Sequence, residues 1–194
     1  MSFYLLKTLP NTDASGFLVS INNVGGTSCH CSATLIEEDG TAYYIMFGNC
    51  GGSKLNYSFV NHNVTFYFKS EDELNITLDE INYVINKTEF YEEKFFFHVN
   101  YYIIEYYLKM NLSAEEIINL KEIIHNSGFI WFDEKIGYGF SGMTAGGSTI
   151  IITIPEYHKS VESVAGNAPD GFRRIYSYIY NNLLDVYGEN NPFQ

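Results

Sequence analysis

The pattern of apolar and polar residues in the first third of the chain predicts β-strands. A short apolar run at residues 17–21 is followed by a glycine-containing turn at 22–26. Further strand-like runs occupy residues 29–38, 41–50 and 57–68. The first half of the chain is therefore expected to supply much of a sheet.

The Asp-Gly pair at 39–40 separates two of these runs and predicts a tight hairpin. Asp-Gly is typical of a two-residue type I′ turn, because both central positions of that turn need a positive φ. Such a turn pairs Glu38 with Thr41 and, further along the strands, Cys29 with Cys50. One apolar face of the hairpin would then point into the core. It would carry Cys29, Cys31, Ala33, Leu35, Tyr44, Met46, Gly48 and Cys50.

Two capping boxes predict helix N-termini at Thr77 and Ser113. In each, the Thr or Ser side chain can accept a hydrogen bond from the backbone N–H of a Glu three residues later. The side chain of that Glu can in turn accept a hydrogen bond from the backbone N–H of the Thr or Ser. The second helix should run to about Asn126 and stop at Gly128. Residues 95–108 are assigned to a helix on their length, although their aromatic and β-branched content favours a strand.

The last third of the chain predicts two more strands and an amphipathic C-terminal helix. Strands are expected at residues 129–140 and 148–154, and a loop at 156–170. The helix is expected to end at Gly188 and to bury one face, on which apolar residues recur every three or four positions. This face consists of Phe172, Ile175, Tyr176, Ile179, Leu183, Val186 and Tyr187. We therefore predict one α+β domain over residues 1–194, a mostly antiparallel sheet packed by three to four helices.

The chain is strongly acidic, with 11 Lys and Arg against 23 Asp and Glu and a formal net charge of −12. Nucleic acids and anionic membranes bind through clustered Lys and Arg, so neither is an expected partner. A basic protein is the natural partner, because opposite fields accelerate and orient encounter. The other interpretation is that the charge only keeps an aromatic-rich domain soluble.

The three cysteines raise the question of a metal or redox site. Zinc sites usually combine two Cys-x₂₋₄-Cys or similar pairs, whereas here Cys29-His30-Cys31 is joined by Cys50 alone. In the predicted hairpin His30 points away from the cysteines, so the four side chains would not converge. We therefore predict no metal site and assign the cysteines to the core. The pairing of Cys29 with Cys50 also permits a cross-strand disulfide or a redox-sensing pair. A reducing cytosol disfavours the disulfide, and no nearby basic residue would lower a thiol pKa, so the redox activity of the pair is left open.

Two glycine-rich segments can be compared with catalytic and cofactor motifs. Residues 48–52, Gly-Asn-Cys-Gly-Gly, resemble the nucleophile loop of chymotrypsin-like cysteine proteases, which implies Cys50 as a nucleophile beside an oxyanion hole. That fold places its catalytic His and acid upstream, and only His30 precedes Cys50; the downstream histidines are His62, His98, His125 and His158. Residues 137–142 match G-x-G-x-x-G, but a strand-like run follows them instead of a helix, so no cofactor is predicted.

Short acidic runs on predicted helix starts or loops are the candidate partner-binding residues. They are Glu71, Asp72, Glu73, Glu92, Glu93, Glu115 and Glu116. Acids near helix N-termini also have a simpler explanation in the helix macrodipole. Arg173 and Arg174 stand where positive charge is unfavourable, at the start of the last helix, which hints at an ion pair across an interface.

These features together predict a non-enzymatic acidic protein that binds and inhibits a basic protein. Bacterial immunity proteins that neutralise basic toxic nucleases have the same physical profile, so a toxin domain is one expected partner. The alternatives are a cysteine hydrolase using Cys50 and a structural or oligomeric subunit, and the sequence leaves the oligomeric state open. The chain shows neither a signal-peptide pattern nor an apolar stretch of membrane-spanning length, so a cytoplasmic location is expected.

Overall fold

A computed structural model describes the greater part of the chain as a single sheet with helices on it. The described residues are 16–24, 30–48, 57–61, 64–68, 77–89, 101–136, 149–164 and 167–186. Within them lie nine strands and three α-helices. The predicted α+β class, with a mostly antiparallel sheet and a C-terminal helix, is confirmed.

The β2–β3 hairpin lies near the centre of the sheet. In chain order the strands are β1 (Phe17–Val24), β2 (His30–Glu37), β3 (Thr41–Gly48), β4 (Tyr57–Asn61), β5 (Val64–Phe68), β6 (Tyr101–Asn111), β7 (Lys135–Ile136), β8 (Thr149–Ile154) and β9 (Lys159–Val164). Their order across the sheet is β4-β5-β6-β3-β2-β1-β8-β9-β7. Neighbours are antiparallel except for β5–β6 and β7–β9, which are parallel. The hairpin therefore has β1 on one side and β6 on the other.

The described α-helices are α1 (Leu78–Lys87), α2 (Ala114–Asn126) and α3 (Asp170–Ser177). The first two begin where the sequence predicts, and α3 begins at the last residue of the predicted loop. Both predicted capping boxes are present, one at the start of α1 and one at the start of α2. Helix α2 ends as predicted, and Gly128 follows with a φ of +74°.

The predicted register of the hairpin is wrong by one residue. Ala33 lies opposite Ile45, whereas the predicted register places it opposite Met46. The reason is the turn, which has three residues, Glu38, Asp39 and Gly40, of which only Gly40 has a positive φ. This is the three-residue turn with a left-handed glycine, not the type I′ turn.

The register error matters because both faces of the sheet are buried. Cys31, Ala33 and Leu35 share a face with Tyr43, Ile45 and Phe47, and this face packs on α1. Tyr44 and Met46, predicted to share that face, point to the opposite side, where α2 and α3 pack. A central strand covered on both faces reads as a continuous apolar run, so its pattern does not fix the register. Cys29 and Cys50, the predicted cross-strand pair, lie outside the described residues.

Four other segments differ from the sequence prediction. The run at 57–68 is two strands of a hairpin, and the segment assigned to a helix at 95–108 is described from residue 101 as strand β6. The strand predicted at 129–140 begins instead as the 3-10 helix Phe129–Trp131. The predicted loop at 156–170 contains strand β9. Pairing with strands that are distant in sequence makes β6 and β9 strands, and local sequence does not show that pairing.

The last helix changes its hydrogen-bond pattern partway along. It is an α-helix to Ser177 and a π-helix from Tyr178 to Leu183, so it ends before the predicted stop at Gly188, which lies outside the described residues. The predicted buried face is confirmed at Phe172, Ile175, Tyr176, Ile179 and Leu183. Val186 is partly buried against the same core cluster, and Tyr187 lies outside the described residues.

Candidate functional site

The turn between β2 and β3 is held against the start of α2. The Leu112 N–H donates to the Gly40 carbonyl oxygen at 2.8 Å. Gly40 has a φ of +95°, and a Cβ on it would lie 2.8 Å from the Leu112 carbonyl oxygen. Glu38 and Asp39, both exposed, are therefore fixed beside the N-terminus of α2.

The first turn of α2 adds two more carboxylates to this region. The Ser113 N–H donates to Glu116 Oε2 at 2.7 Å, and the Glu116 N–H donates to Ser113 Oγ at 3.2 Å. Glu115, the residue between them in the first turn, is exposed. Negative charge at this position is stabilised by the unpaired N–H groups of the helix N-terminus.

Helix α1 contributes a carboxylate and an aromatic ring from the other face of the sheet. Glu80 forms an ion pair with Lys109 of β6, and the Lys109 ammonium lies 5.5 Å from the centroid of the Tyr43 ring. The Tyr83 hydroxyl donates to the Glu37 carboxylate at the end of β2. The Tyr43 and Tyr83 rings meet edge to face, with their centroids 6.1 Å apart.

These contacts bring acidic side chains from three elements to the hairpin end of the sheet. We call this surface the acidic end; it consists of Glu37, Glu38, Asp39, Glu80, Glu115 and Glu116. Among the described residues, two lysines beside it contact tyrosine rings: Lys109 lies over Tyr43, and Lys87 lies 5.9 Å from the centroid of Tyr83. The surface thus combines negative charge with flanking aromatic side chains.

Local hydrogen bonds keep three of these carboxylates ionised. Bonds from Thr41 hold the pKa of the Asp39 carboxyl below its ordinary value. Hydrogen bonds from Ser113 lower the pKa of the Glu116 carboxyl in the same way. The pKa of Glu80 is lowered chiefly by its hydrogen bond with Lys109. The acidic end therefore keeps this charge at mildly acidic pH.

The tyrosines beside the acidic end stay neutral. Burial, reinforced by the hydrogen bond to Glu37, raises the pKa of the Tyr83 hydroxyl. Burial and the Glu37 charge also raise the pKa of Tyr43. Both side chains are thus uncharged phenols at physiological pH; Tyr43 is buried, and Tyr83 is half-buried with its hydroxyl donated to Glu37.

The sequence identified part of this surface. Glu115 and Glu116, two of the predicted partner-binding residues, belong to the acidic end. Their predicted companions Glu71, Asp72, Glu73, Glu92 and Glu93 lie outside the described residues. The sequence prediction missed Glu37, Glu38 and Asp39, which it treated only as strand and turn, and Glu80, which it treated only as part of a capping box. The capping box at Ser113 and the Asp-Gly turn were both visible, but nothing in the sequence says that the two segments meet.

Of the residues considered for a catalytic role, Cys50, His62 and His98 lie outside the described residues, whereas His30 begins β2 and His125 and His158 are exposed. The other candidates, Cys29 and the glycine-rich residues 137–142, also lie outside the described residues. The hydrolase alternative therefore stays a prediction. Cys31 is buried in the core on the face that packs on α1, as predicted. Among the described residues, no group of three or more His, Cys, Asp or Glu side chains could hold a metal ion.

The two arginines near the start of α3 find partners within the chain. Arg173 forms an ion pair with Asp170 one turn earlier, and Arg174 Nη2 donates to the Asn126 carbonyl oxygen at 3.3 Å. Asp170, in the first turn, offsets the unfavourable positive charge at this helix start. The predicted ion pair across an interface remains a prediction.

Comparison with known proteins gives no family for this chain. No protein-family model matches it, and no curated protein matches it in sequence. No helix in the described part of the chain is both long enough and apolar enough to cross a membrane. Its function is therefore inferred from geometry and charge.

Proposed function

We propose that this chain is a non-enzymatic inhibitory protein that binds a basic protein partner through the acidic end. Bacterial immunity proteins, which neutralise basic toxic nucleases in the cytoplasm, are the class whose physical profile it shares. The partner in this proposal is a basic toxin domain. The observation that carries the proposal is the hydrogen bond from Leu112 to Gly40, which joins the acidic hairpin turn to the acidic first turn of α2.

Charge and rigidity both support this assignment. The chain carries a formal charge of −12, so its field attracts basic proteins and accelerates their encounter. The carboxylates of the acidic end belong to a capped helix and a tight turn, so less side-chain and loop entropy is lost when they bind. A preorganised charged surface is what favours rapid association with an oppositely charged partner.

The aromatic residues beside the carboxylates add a second contribution. Tyr is enriched at the cores of protein interfaces, because it supplies contact area together with a polar hydroxyl. Tyr43 and Tyr83 lie directly beside Glu37 and over the same region of the sheet. A basic partner would therefore meet the carboxylates together with the half-buried Tyr83 ring, which the buried Tyr43 ring supports by its edge-to-face contact.

Co-expression with the products of neighbouring genes, followed by purification and calorimetry, tests the proposal. We expect a basic protein to bind, with an affinity that falls at least about tenfold between 50 and 300 mM salt. The double variant Glu38→Gln/Glu115→Gln should weaken binding by roughly threefold to thirtyfold, since an exposed ion pair contributes about 0.3–1 kcal/mol.

A charge-matched variant separates the acidic end from net charge in general. Glu89→Gln/Glu105→Gln removes two exposed carboxylates that lie away from the hairpin turn, after the end of α1 and near the first residues of β6, and should leave the affinity within about twofold of the unmodified chain. Equal weakening by both double variants, or an affinity independent of salt, would overturn the proposal.

A further inference from the structure

The single Trp of the chain is almost fully exposed. Trp131 is 85% exposed and its neighbour Ile130 is 48% exposed, both on the 3-10 helix that follows α2. Tryptophan side chains are highly buried on average, and they are enriched among the residues that dominate binding energy at interfaces. An exposed Trp on regular structure therefore points to a contact with another molecule.

The segment that carries Trp131 is rigidly held. The Trp131 N–H donates to the Gly128 carbonyl oxygen at 2.9 Å, and the Phe129 N–H donates to Ser127 Oγ at 3.0 Å. The Phe129 side chain is fully buried and anchors the 3-10 helix in the core. Lys159 Nζ donates to the Ile130 carbonyl oxygen at 2.8 Å. The indole is thus presented on a fixed backbone, and binding would not have to order that backbone.

The charges next to Trp131 are predominantly negative. Asp133 and Glu134 follow it within three residues, and both are exposed. Of the nearby cations, Lys135 lies 3.7 Å from the carboxylate of Glu162 and Lys159 is engaged by the Ile130 carbonyl. An incoming cation would therefore meet an open aromatic ring and two exposed carboxylates.

We propose that Trp131, Asp133 and Glu134 form a second contact of this chain with its basic partner, one that receives an Arg or Lys side chain. The cation would lie over the indole ring, the strongest aromatic acceptor of cation–π interactions, and pair with one of the carboxylates. This inference rests on the proposed function. A second copy of the chain fits this surface poorly, because a symmetric contact would bring the same carboxylates together.

Fluorescence of Trp131 with an octa-arginine peptide tests this contact directly, because no other Trp contributes to the signal. We expect a saturable change in emission that octa-glutamine does not produce. Asp133→Asn/Glu134→Gln should weaken the fluorescence-detected affinity by about three- to tenfold, and Glu89→Gln/Glu105→Gln by less than about twofold. In calorimetry, Trp131→Ala should weaken the affinity for the peptide by about three- to tenfold. Ile118→Ala is its control, because it also shortens an exposed apolar side chain and should not weaken the affinity in this way.

The outcomes separate this inference from the proposal it rests on. The contact would be overturned if calorimetry showed that the peptide binds but Trp131 emission did not change. If Glu38→Gln/Glu115→Gln also weakened that calorimetric affinity, the proposal for the acidic end would be retained. An emission change that Asp133→Asn/Glu134→Gln does not weaken would also overturn the contact. A weaker calorimetric affinity for the peptide in Glu38→Gln/Glu115→Gln, with the Trp131 emission change retained, would support the contact and keep both surfaces.

Discussion

At the scale of single residues, polar side chains tie α3 and α1 to the sheet through its buried faces. Thr34 of β2 and Tyr180 of the π-helix share a hydrogen bond of 2.7 Å between their hydroxyls. On β1, Asn22 Nδ2 donates to the Thr88 carbonyl oxygen at 2.6 Å. Buried polar groups with specific partners favour one packing arrangement, since any other arrangement would leave them unpaired.

The contribution of the Thr34–Tyr180 bond can be measured by a double-mutant cycle. Thr34→Val and Tyr180→Phe each remove one hydroxyl and keep the side-chain volume, and each should lower the free energy of unfolding by about 1–2 kcal/mol. Together they should lower it by about 1 kcal/mol less than the sum of the two. Urea denaturation of the four proteins gives these values. Strict additivity would mean that the two hydroxyls do not interact.

Gly171 is needed because α3 approaches the end of α2 closely. A Cβ at this position would lie 1.9 Å from the Ser127 carbonyl oxygen, which is backbone and cannot move aside. We expect Gly171→Ala to lower the free energy of unfolding by about 1–3 kcal/mol, as overpacking does in well-packed cores. Gly48→Ala is the control, because the added methyl would meet only the exposed side chain of Glu105. Thermal unfolding of both variants should show the larger loss for Gly171→Ala.

At the scale of elements, helix starts were the features that the sequence predicted best. The capping boxes at Thr77 and Ser113 are local patterns of four residues, and local hydrogen bonds alone form them. The prediction of a helix at 95–108 was wrong because the structure of this segment depends on distant residues. Its described part, β6, is a strand because β3 and β5 pair with it, and those partners lie far away in sequence.

The same distinction explains how much of the acidic end was predictable. Glu115 could be placed at a helix start from its neighbours alone. Its proximity to Glu38 depends on the register of β2, β3 and β6, and the hairpin register was misread because both faces of these strands are apolar. A local pattern therefore predicted the position of Glu115 at a helix start, whereas its proximity to Glu38 follows only from the topology of the sheet.

Loss of the cap on α2 should destabilise the element that carries two carboxylates of the acidic end. Ser113→Ala removes the oxygen that accepts from the Glu116 N–H, so it should lower the free energy of unfolding by about 1 kcal/mol. Ser113→Asp should restore most of this loss, since Asp is an equally good N-cap. Urea denaturation with far-ultraviolet circular dichroism measures both. Equal stability of Ser113→Ala and the unmodified chain would show that the cap contributes nothing.

At the scale of the whole molecule, the acidic charge sets how stability depends on pH. Folding lowers the pKa of Glu80, so near its unfolded-state pKa of about 4.3 the unfolded chain binds more protons. This contribution to stability is complete above that pH and is lost as the pH falls through the lowered folded-state pKa. Asp39 and Glu116 act in the same direction.

The acid dependence gives a prediction for Glu80. Glu80→Gln keeps a side chain that can complete the capping box but removes the titrating group, so its free energy of unfolding should change less between pH 5 and 3 than that of the unmodified chain. Denaturation at a series of pH values measures this slope. An unchanged acid slope would contradict the role given to the Glu80–Lys109 pair.

The acidic end as the binding surface is tested most directly by zero-length cross-linking of carboxylates to the lysines of the bound basic partner, read by mass spectrometry. Cross-links should form at Glu38, Asp39 and Glu115, which are exposed on the hairpin turn and the start of α2. Equally exposed Glu89 and Glu105, which lie away from the hairpin turn, should remain unlinked. A stable complex whose cross-links avoid the hairpin turn and the first turn of α2 would contradict the account.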